Sequence, residues 1–185
     1  MIGFLQFSTA DLAQVPNYLR ATQMQIDRAG KRAVRKVANS TASQLARAIS
    51  AAHDLPLRLL RKRGKPWNRV SVKHLDHAAD HPGPTSVVWV GFNPIRASYL
   101  GAPRQTREGV KVRGHIFRGA FISTMPSGHR GVFMRRGRDR LPIDEQSVQL
   151  SEARGIVQKF QAALPARLNT VFRQEMNYEL NVRGK

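Results

Sequence analysis

The stretch FRGAFISTMPSGHRGVFMRRGRDRLPI, residues 117–143, decides how this chain reads as a fold. Two short apolar runs flank Pro126-Ser127-Gly128, whose composition suits a tight turn, so the segment reads as a β-hairpin. Phe117, Phe121 and Phe133 give it core or interface area, and Gly119, Gly128, Gly131 and Gly137 permit turns and close backbone approach. An arginine-dense turn follows. Pro142 lacks a backbone donor, which puts Leu141-Pro142-Ile143 at a sheet edge or in an extended arm.

Working outward, Val110 to Val112 reads as a strand, and so does Ser86 to Phe92, where Val87, Val88, Trp89 and Val90 are all β-formers. Between them Asn93-Pro94 has the chemistry to cap a short helix through Leu100, and Gly101 to Gly109 reads as a linker. His74 to Pro84 is polar and reads as a loop. Ile2 to Phe7 is a short strand or an anchoring arm, with Ser8 or Thr9 placed to cap a turn that Pro16 interrupts. Residues 17–52 read as one long helix: Ile26, Ala29, Ala33, Val37, Thr41, Leu45, Ala48 and Ala52 recur three and four apart as a narrow stripe, rich in alanine. Leu55-Pro56 starts a second, short helix. Residues 151–182 form a last helix whose apolar face is Val157, Phe160, Leu164, Leu168, Val171 and Phe172, with Pro165 expected to kink or break it. The expectation is an α+β fold in one domain over residues 1–185: long N- and C-terminal helices flanking a small, mainly antiparallel sheet within residues 86–143. A lone chain is expected to leave the alanine stripe and parts of Phe160 and Phe172 poorly covered, which predicts assembly.

Composition narrows the function. Thirty-one Lys and Arg against twelve Asp and Glu give a formal charge of +19, which predicts attraction to a polyanion: nucleic acid, an acidic protein ring or anionic lipid. The chain has no cysteine, so disulfides and thiolate metal sites are excluded. No apolar run approaches the roughly 20 residues of a membrane span. The apolar start, Met1 to Phe7, lacks a basic leader and predicts a protein made and assembled in the cytosol.

The order of pieces within residues 117–143 (Gly119-Ala120-Phe121, then Met125 to Phe133, then Arg135-Arg136-Gly137, then Arg140 to Ile143) resembles the minor tail protein Z family of tailed bacteriophages. The long helix rich in Ala and Arg, the basic Trp-containing middle and the C-terminal helix suit the same layout. The resemblance implies a structural virion protein that completes the upper end of the tail, as a homo-oligomeric ring touching other tail and neck proteins and the end of the packaged DNA. It implies assembly in the host cytoplasm and no enzyme activity. One departure stands out: Asp144-Glu145-Gln146-Ser147 occupies the place of a glycine–proline–serine step, leaving the seating of the last helix open.

Two basic clusters are the candidate contact sites. Arg58, Arg61, Lys62, Arg63, Lys65 and Arg69, with Trp67 among them, have no acid between Leu55 and Leu75. Such crowding is relieved by a polyanion, so the run reads as DNA backbone contact with Trp67 placed to stack, as a dock for an acidic neighbour, or as a solvated face. The second cluster is Arg130, Arg135, Arg136, Arg138 and Arg140, relieved only by Asp139. Guanidinium pairs with carboxylate and phosphate alike; the reading gives Arg135, Arg136 and Arg138 to nucleic acid or an acidic partner. It gives Phe121, Arg130, Phe133, Arg140, Leu141 and Ile143 to an oligomer interface.

Other constellations are weaker. His74, His77 and His81 with Asp76 and Asp80 have zinc-compatible ligand types, but Pro82-Gly83-Pro84 follows at once and a polar loop is the better reading. Ser127-Gly128-His129 lacks the nucleophile-elbow pattern, and no phosphate loop, dinucleotide fingerprint or nuclease carboxylate cluster is present. No catalytic residue, metal or cofactor is expected. The rival from another class is a freestanding basic module bound to nucleic acid through phosphates.

Overall fold

The computed structural model describes residues 22–61, 69–75 and 83–182, together with the backbone of residues 2–8. Helix α1, Gln23–Ala52, starts six residues later than its periodicity predicts. Thr22 stops it: the backbone there is extended, with φ −74° and ψ 153°. The Gln25 N–H donates to Thr22 Oγ1 at 3.4 Å, and Gln25 Oε1 accepts from the Thr22 N–H at 2.9 Å. That reciprocal pair satisfies otherwise orphaned donors of the first turn. The turn about Ser8, Thr9 and Pro16 falls outside the described residues.

At its other end α1 is pinned by Asp54, which adopts φ 42°. The Asp54 carboxylate accepts from the Gly114 N–H at 2.9 Å and from Arg113 at 3.5 Å. A β-carbon on Gly114 would lie 2.5 Å from that carboxylate, so any side chain there would push Asp54 aside. Helix α2, Leu57–Leu60, follows with Pro56 as its cap.

The sheets are small and antiparallel. β1 (Ile2–Ser8), β2 (Val70–Leu75) and β3 (Thr85–Gly91) form one in the order β1-β3-β2, with Leu5 opposite Val88 and Val72 opposite Val88 from the other side. β4 (Ile95–Arg96) pairs with β11 (Ser147–Val148), and the short helix α3 is Ala97–Leu100. β5 (Arg104–Thr106), β6 (Gly109–Val112) and β7 (His115–Arg118) make a meander. β8 (Phe121–Thr124), β9 (Arg130–Arg135) and β10 (Ile143–Glu145) make the last sheet, with β9 central and β10 at its edge. The segment after Pro142 thus lies at a sheet edge, as its missing donor requires.

Three local expectations are corrected. Asn93-Pro94 does not cap a helix; pairing of Ile95 with Val148 claims the backbone first, and α3 starts after Arg96. The presumed linker contains β5, because Gln105 acts as a clasp: its amide donates to Gly109 O at 3.2 Å and Ala120 O at 3.1 Å and accepts from the Ile122 N–H at 3.2 Å. His74 belongs to β2, with Nδ1 2.7 Å from Ser86 Oγ, and not to a loop.

Helix α4, Ala153–Asn181, runs unbroken through Pro165, which stands on its exposed side between buried Leu164 and Leu168. Packing on either side of the proline outweighs the lost backbone bond. α1 lies against α4 and the β1-β3-β2 sheet. Ala29, Ala33, Ala38, Ala42 and Ala46 are fully buried with Val88, Leu168 and Met176. The stripe is therefore broader than its periodicity suggests, taking in Val34, Ala38, Ala42, Ala46 and Ile49 and leaving Ala52 exposed. The same packing overturns the expectation of an uncovered stripe: the chain's own α4 and sheet cover the alanines, and Phe172 is buried, while Phe160 stays half-buried.

One polar cluster crosses this helix pair. Glu175 and Glu179 are buried on α4, at 5% and 2% exposure, beside Phe172 and Met176. Arg32 Nε donates to Glu175 at 2.6 Å and Nη1 to Glu179 at 2.5 Å, while Lys36 Nζ donates to Glu175 at 2.5 Å. The Arg32 guanidinium also lies 5.3 Å from the Tyr178 ring centre. Burial pushes the Glu175 carboxyl up, but bonds from Lys36 and Arg32 and their charges outweigh it and hold it below the ordinary glutamate value of 4.5. Of the six Arg and Lys on α1, Arg32 and Lys36 are thus structural.

Glu175→Gln should lose about 2 kcal/mol, less than the ~3–5 kcal/mol of a fully buried pair because Lys36 is 65% exposed. With the folded value depressed, the unfolded chain takes up the proton first as pH falls. The contribution is therefore complete above the ordinary glutamate value and drains away as pH drops through the lower folded one. Urea midpoints at about pH 6 and about pH 3 should fall more steeply in wild type than in Glu175→Gln.

Candidate functional site

The β8–β9 hairpin is built as its sequence implies. Met125 and Gly128 close a β-turn with Pro126 at its second position, the Gly128 N–H donating to Met125 O at 2.8 Å. Gly128 then takes the left-handed conformation, φ 79°, that a three-residue hairpin loop needs. Register places Phe121 opposite Phe133, with ring centres 6.4 Å apart, and His129 meets Phe133 edge-on at 6.3 Å.

The arginines of the second cluster divide by what holds them. Arg136 is committed internally: Nε and Nη2 fork onto Asp144 at 2.6 and 2.9 Å. The bonds and charge of Arg136 hold the Asp144 carboxyl below its ordinary range. Arg135 lies 5.6 Å from the Phe121 ring centre and reaches Asp139 O at 3.4 Å. Arg130, Arg138 and Arg140 are exposed and carry no ion pair among the described residues. Beside them Met134 is 37% exposed and Leu141 66%. The loop thus presents paired and unpaired guanidinium groups around an apolar spot. Of the residues assigned to an interface, Phe121 and Ile143 are half-buried and Phe133 is buried at 5% exposure within its own sheet.

Residues 144–147, the departure noted in the sequence, have a structural account. Asp144 receives Arg136. Glu145 accepts from Arg96 at 3.2 Å and lies 2.8 Å from His129 Nε2. The Gln146 N–H donates to Val132 O at 2.8 Å, and Gln146 O accepts from the Ala97 N–H at 2.9 Å. Ser147 then pairs opposite Arg96. The segment crosses from the β9 edge to β4 and delivers buried Leu150 and Ala153 to the start of α4.

The first cluster is only partly visible. Lys62, Arg63, Lys65 and Trp67 lie outside the described residues, as do Asp76, His77, Asp80 and His81 of the zinc-compatible set. Arg58 is exposed on α2. Arg61 folds back to donate to Ser43 Oγ on α1, and half-buried Arg69 reaches Pro94 O at 3.4 Å. The structure does not bring the described members of this run together with the arginines of the hairpin in any hydrogen bond. Among the described residues no group of three His, Asp or Glu could hold a metal ion, and no helix is long and apolar enough to cross a membrane.

Sequence reading missed Glu175, Glu179, Asp144 and Arg167. A signal for the first two exists: with Leu168, Phe172 and Met176 they fall in phase on one helix face, and acids in phase with an apolar stripe need buried partners. Nothing local marks their partners, which lie 139 to 147 residues away.

The Arg136–Asp144 fork braces the loop over Pro142, whose carbonyl accepts from the Arg136 N–H at 3.2 Å. In Asp144→Asn, tryptic cleavage after Arg138 and Arg140, followed by mass spectrometry, should accelerate severalfold while the far-ultraviolet circular dichroism stays that of wild type.

No curated protein and no solved structure matches the chain. The family model of prophage minor tail protein Z matches residues 15–183, a span that takes in α1, every strand from β2 to β11 and α4. The chain therefore belongs to the prophage minor tail protein Z family and has a structural role in a phage tail.

Proposed function

We propose that this tail protein completes the upper end of the tail and joins it to the head and neck, as one subunit of an oligomeric ring that meets neck proteins and the end of the packaged DNA. The observation that carries this reading is the loop after β9. Arg138 and Arg140 are exposed and without ion pairs among the described residues, and they lie in the chain between exposed Met134 and Leu141. A rigid strand pair carrying cations and an apolar spot is the kind of surface that docks on an acidic neighbour and excludes water there. Along β9, Arg130 shares the strand face of Met134, whereas Arg135 lies on the other face over Phe121.

Because α4 and the sheet cover the alanine stripe of α1, contact between copies runs through the hairpin residues Phe121, Arg130, Arg140, Leu141 and Ile143 and not through α1. Buried Phe133 supports that surface from beneath. The run Arg58, Arg61, Lys62, Arg63, Lys65, Trp67 and Arg69 is the proposed face toward the DNA terminus or an acidic neck protein. The role is geometric and needs no catalytic group or cofactor. The particle is assembled in the host cytoplasm.

The net charge of +19 favours one second reading, a freestanding nucleic-acid-binding module. Light scattering separates the two. A ring subunit keeps a defined mass of several copies at high salt, whereas the module is a monomer or dimer whose DNA affinity falls with a slope near −0.9 per phosphate neutralised.

The direct test is complementation of a phage lacking this protein with the double variant Arg138→Glu, Arg140→Glu. Joined particles counted by electron microscopy and infectious titre should both fall about a hundredfold, consistent with like-charge juxtaposition costing several kcal/mol. Wild-type titre from a well-folded double variant would overturn the loop's role.

A further inference from the structure

On a different pair of elements, α1 and α4 leave an open groove of about 510 Å³, lined among others by Lys36, Asn39, Ser40, Ser43, Arg167 and Gln174. No carboxylate is among its lining residues. Its lining arginine, Arg167, is held unlike several others in the protein. Arg32, Arg96, Arg113 and Arg136 are each fixed by carboxylates. Arg167 is instead fixed by neutral acceptors: Nη1 donates to Gln44 Oε1 at 2.6 Å and Nη2 to Ser40 Oγ at 3.0 Å. Arg61 is brought to the groove by its bond to the lining residue Ser43, donating to Ser43 Oγ in the same manner.

The serines are arranged to act as acceptors. The Ser40 hydroxyl donates to Val37 O at 3.0 Å and the Ser43 hydroxyl to Asn39 O at 2.8 Å, which turns a lone pair of each toward its arginine. Both guanidinium groups are thereby oriented without being neutralised, which is how a preorganised anion site is supported. Lys36 adds a third cation. Its carboxylate partner among the described residues, Glu175, is buried and shared with Arg32, so the ammonium keeps donors for the groove. Asn39 and Gln174, which carry side-chain amides, also line this space.

We infer that the α1–α4 groove at Lys36, Arg61 and Arg167 binds a phosphate-class oxyanion. Three cations and two side-chain amides offer more donors than the two oxygens of a single carboxylate can accept, whereas a phosphate group accepts from several directions at once. The phosphate comes either free from solution or from a nucleic-acid backbone. The site stands independently of the arginine loop, and shares only Arg61 with the run proposed to face the DNA terminus.

The test uses the full chain and inorganic phosphate, read by thermal melting and isothermal titration against sodium chloride and sodium acetate at equal ionic strength. Phosphate should raise the melting temperature beyond both salts, by ligand linkage. Arg167→Gln should weaken phosphate affinity at least tenfold, while Lys159→Gln, which removes one charge elsewhere on α4, should leave it within twofold. If Arg167→Gln fails to fold by circular dichroism, Arg61→Gln is read against the same thresholds. Equal effects of acetate and phosphate, or unchanged affinity in the folded Arg variant, would overturn the assignment.

A single-stranded thymidine oligonucleotide then distinguishes the source. Loss of oligonucleotide binding in Arg167→Gln, with displacement by free phosphate in wild type, assigns the site to a nucleic-acid backbone. Oligonucleotide binding that is indifferent to Arg167 assigns it to the free ion. Head–tail joining scored in parallel keeps failure of this site distinct from failure of the loop.

Discussion

Burial of two carboxylates on one face of α4 constrains the rest of the structure. Glu175 and Glu179 stand one turn apart with almost no solvent, so neither can stay charged without a cation delivered from outside the helix. Arg32 and Lys36, also one turn apart, supply that charge from α1. The pairing sets the register, and with Arg167 on Ser40 and Gln44 it makes the two helices antiparallel. Small residues then allow the backbones to approach: Ala29, Ala33, Ala38, Ala42 and Ala46 vanish into the contact. With the helix pair set, the β1-β3-β2 sheet has one face to pack against.

Five of the few acids of this chain serve as pins. Of 12 acidic residues, Glu175 and Glu179 join the long helices, Asp54 ties the end of α1 to the β6–β7 turn, and Asp144 and Glu145 brace the hairpin sheet. Carboxylates spent on such pins cannot offset the surface, and the excess of cations is left outward. A high net charge is thus compatible with an orderly interior. It also explains why the arginines fall into two kinds, those that hold the fold and those, such as Arg138 and Arg140, that face solvent.

The segment 144–147 shows how short polar stretches can carry architecture. Each residue in it makes a different contact outside the segment: Asp144 to Arg136, Glu145 to Arg96 and His129, Gln146 to Val132 and Ala97, Ser147 to the β4 strand. Together they carry the chain from one small sheet to another and aim α4 at α1. Gln105 plays a similar part between the β5-β6-β7 meander and β8. Neither segment has apolar periodicity, so hydrophobic pattern gives no notice of either.

From the sequence alone the α+β class, both long helices, the hairpin with its Pro126-to-Gly128 turn, the edge position after Pro142 and the family were all legible. Each rests on local signals: a period of three and four, turn residues at fixed offsets, a proline without a donor, or an ordered set of motifs. Tertiary structure decided the rest. Whether Asn93 caps a helix or yields to a strand, whether Pro165 breaks α4, and which arginines are free all depend on partners far along the chain. Arg136 and Arg138 look alike in sequence, yet only the first meets a carboxylate. The alanine stripe likewise announces a close neighbour without saying which; the chain's own last helix is that neighbour, because burying Glu175 and Glu179 leaves α4 no other place to go.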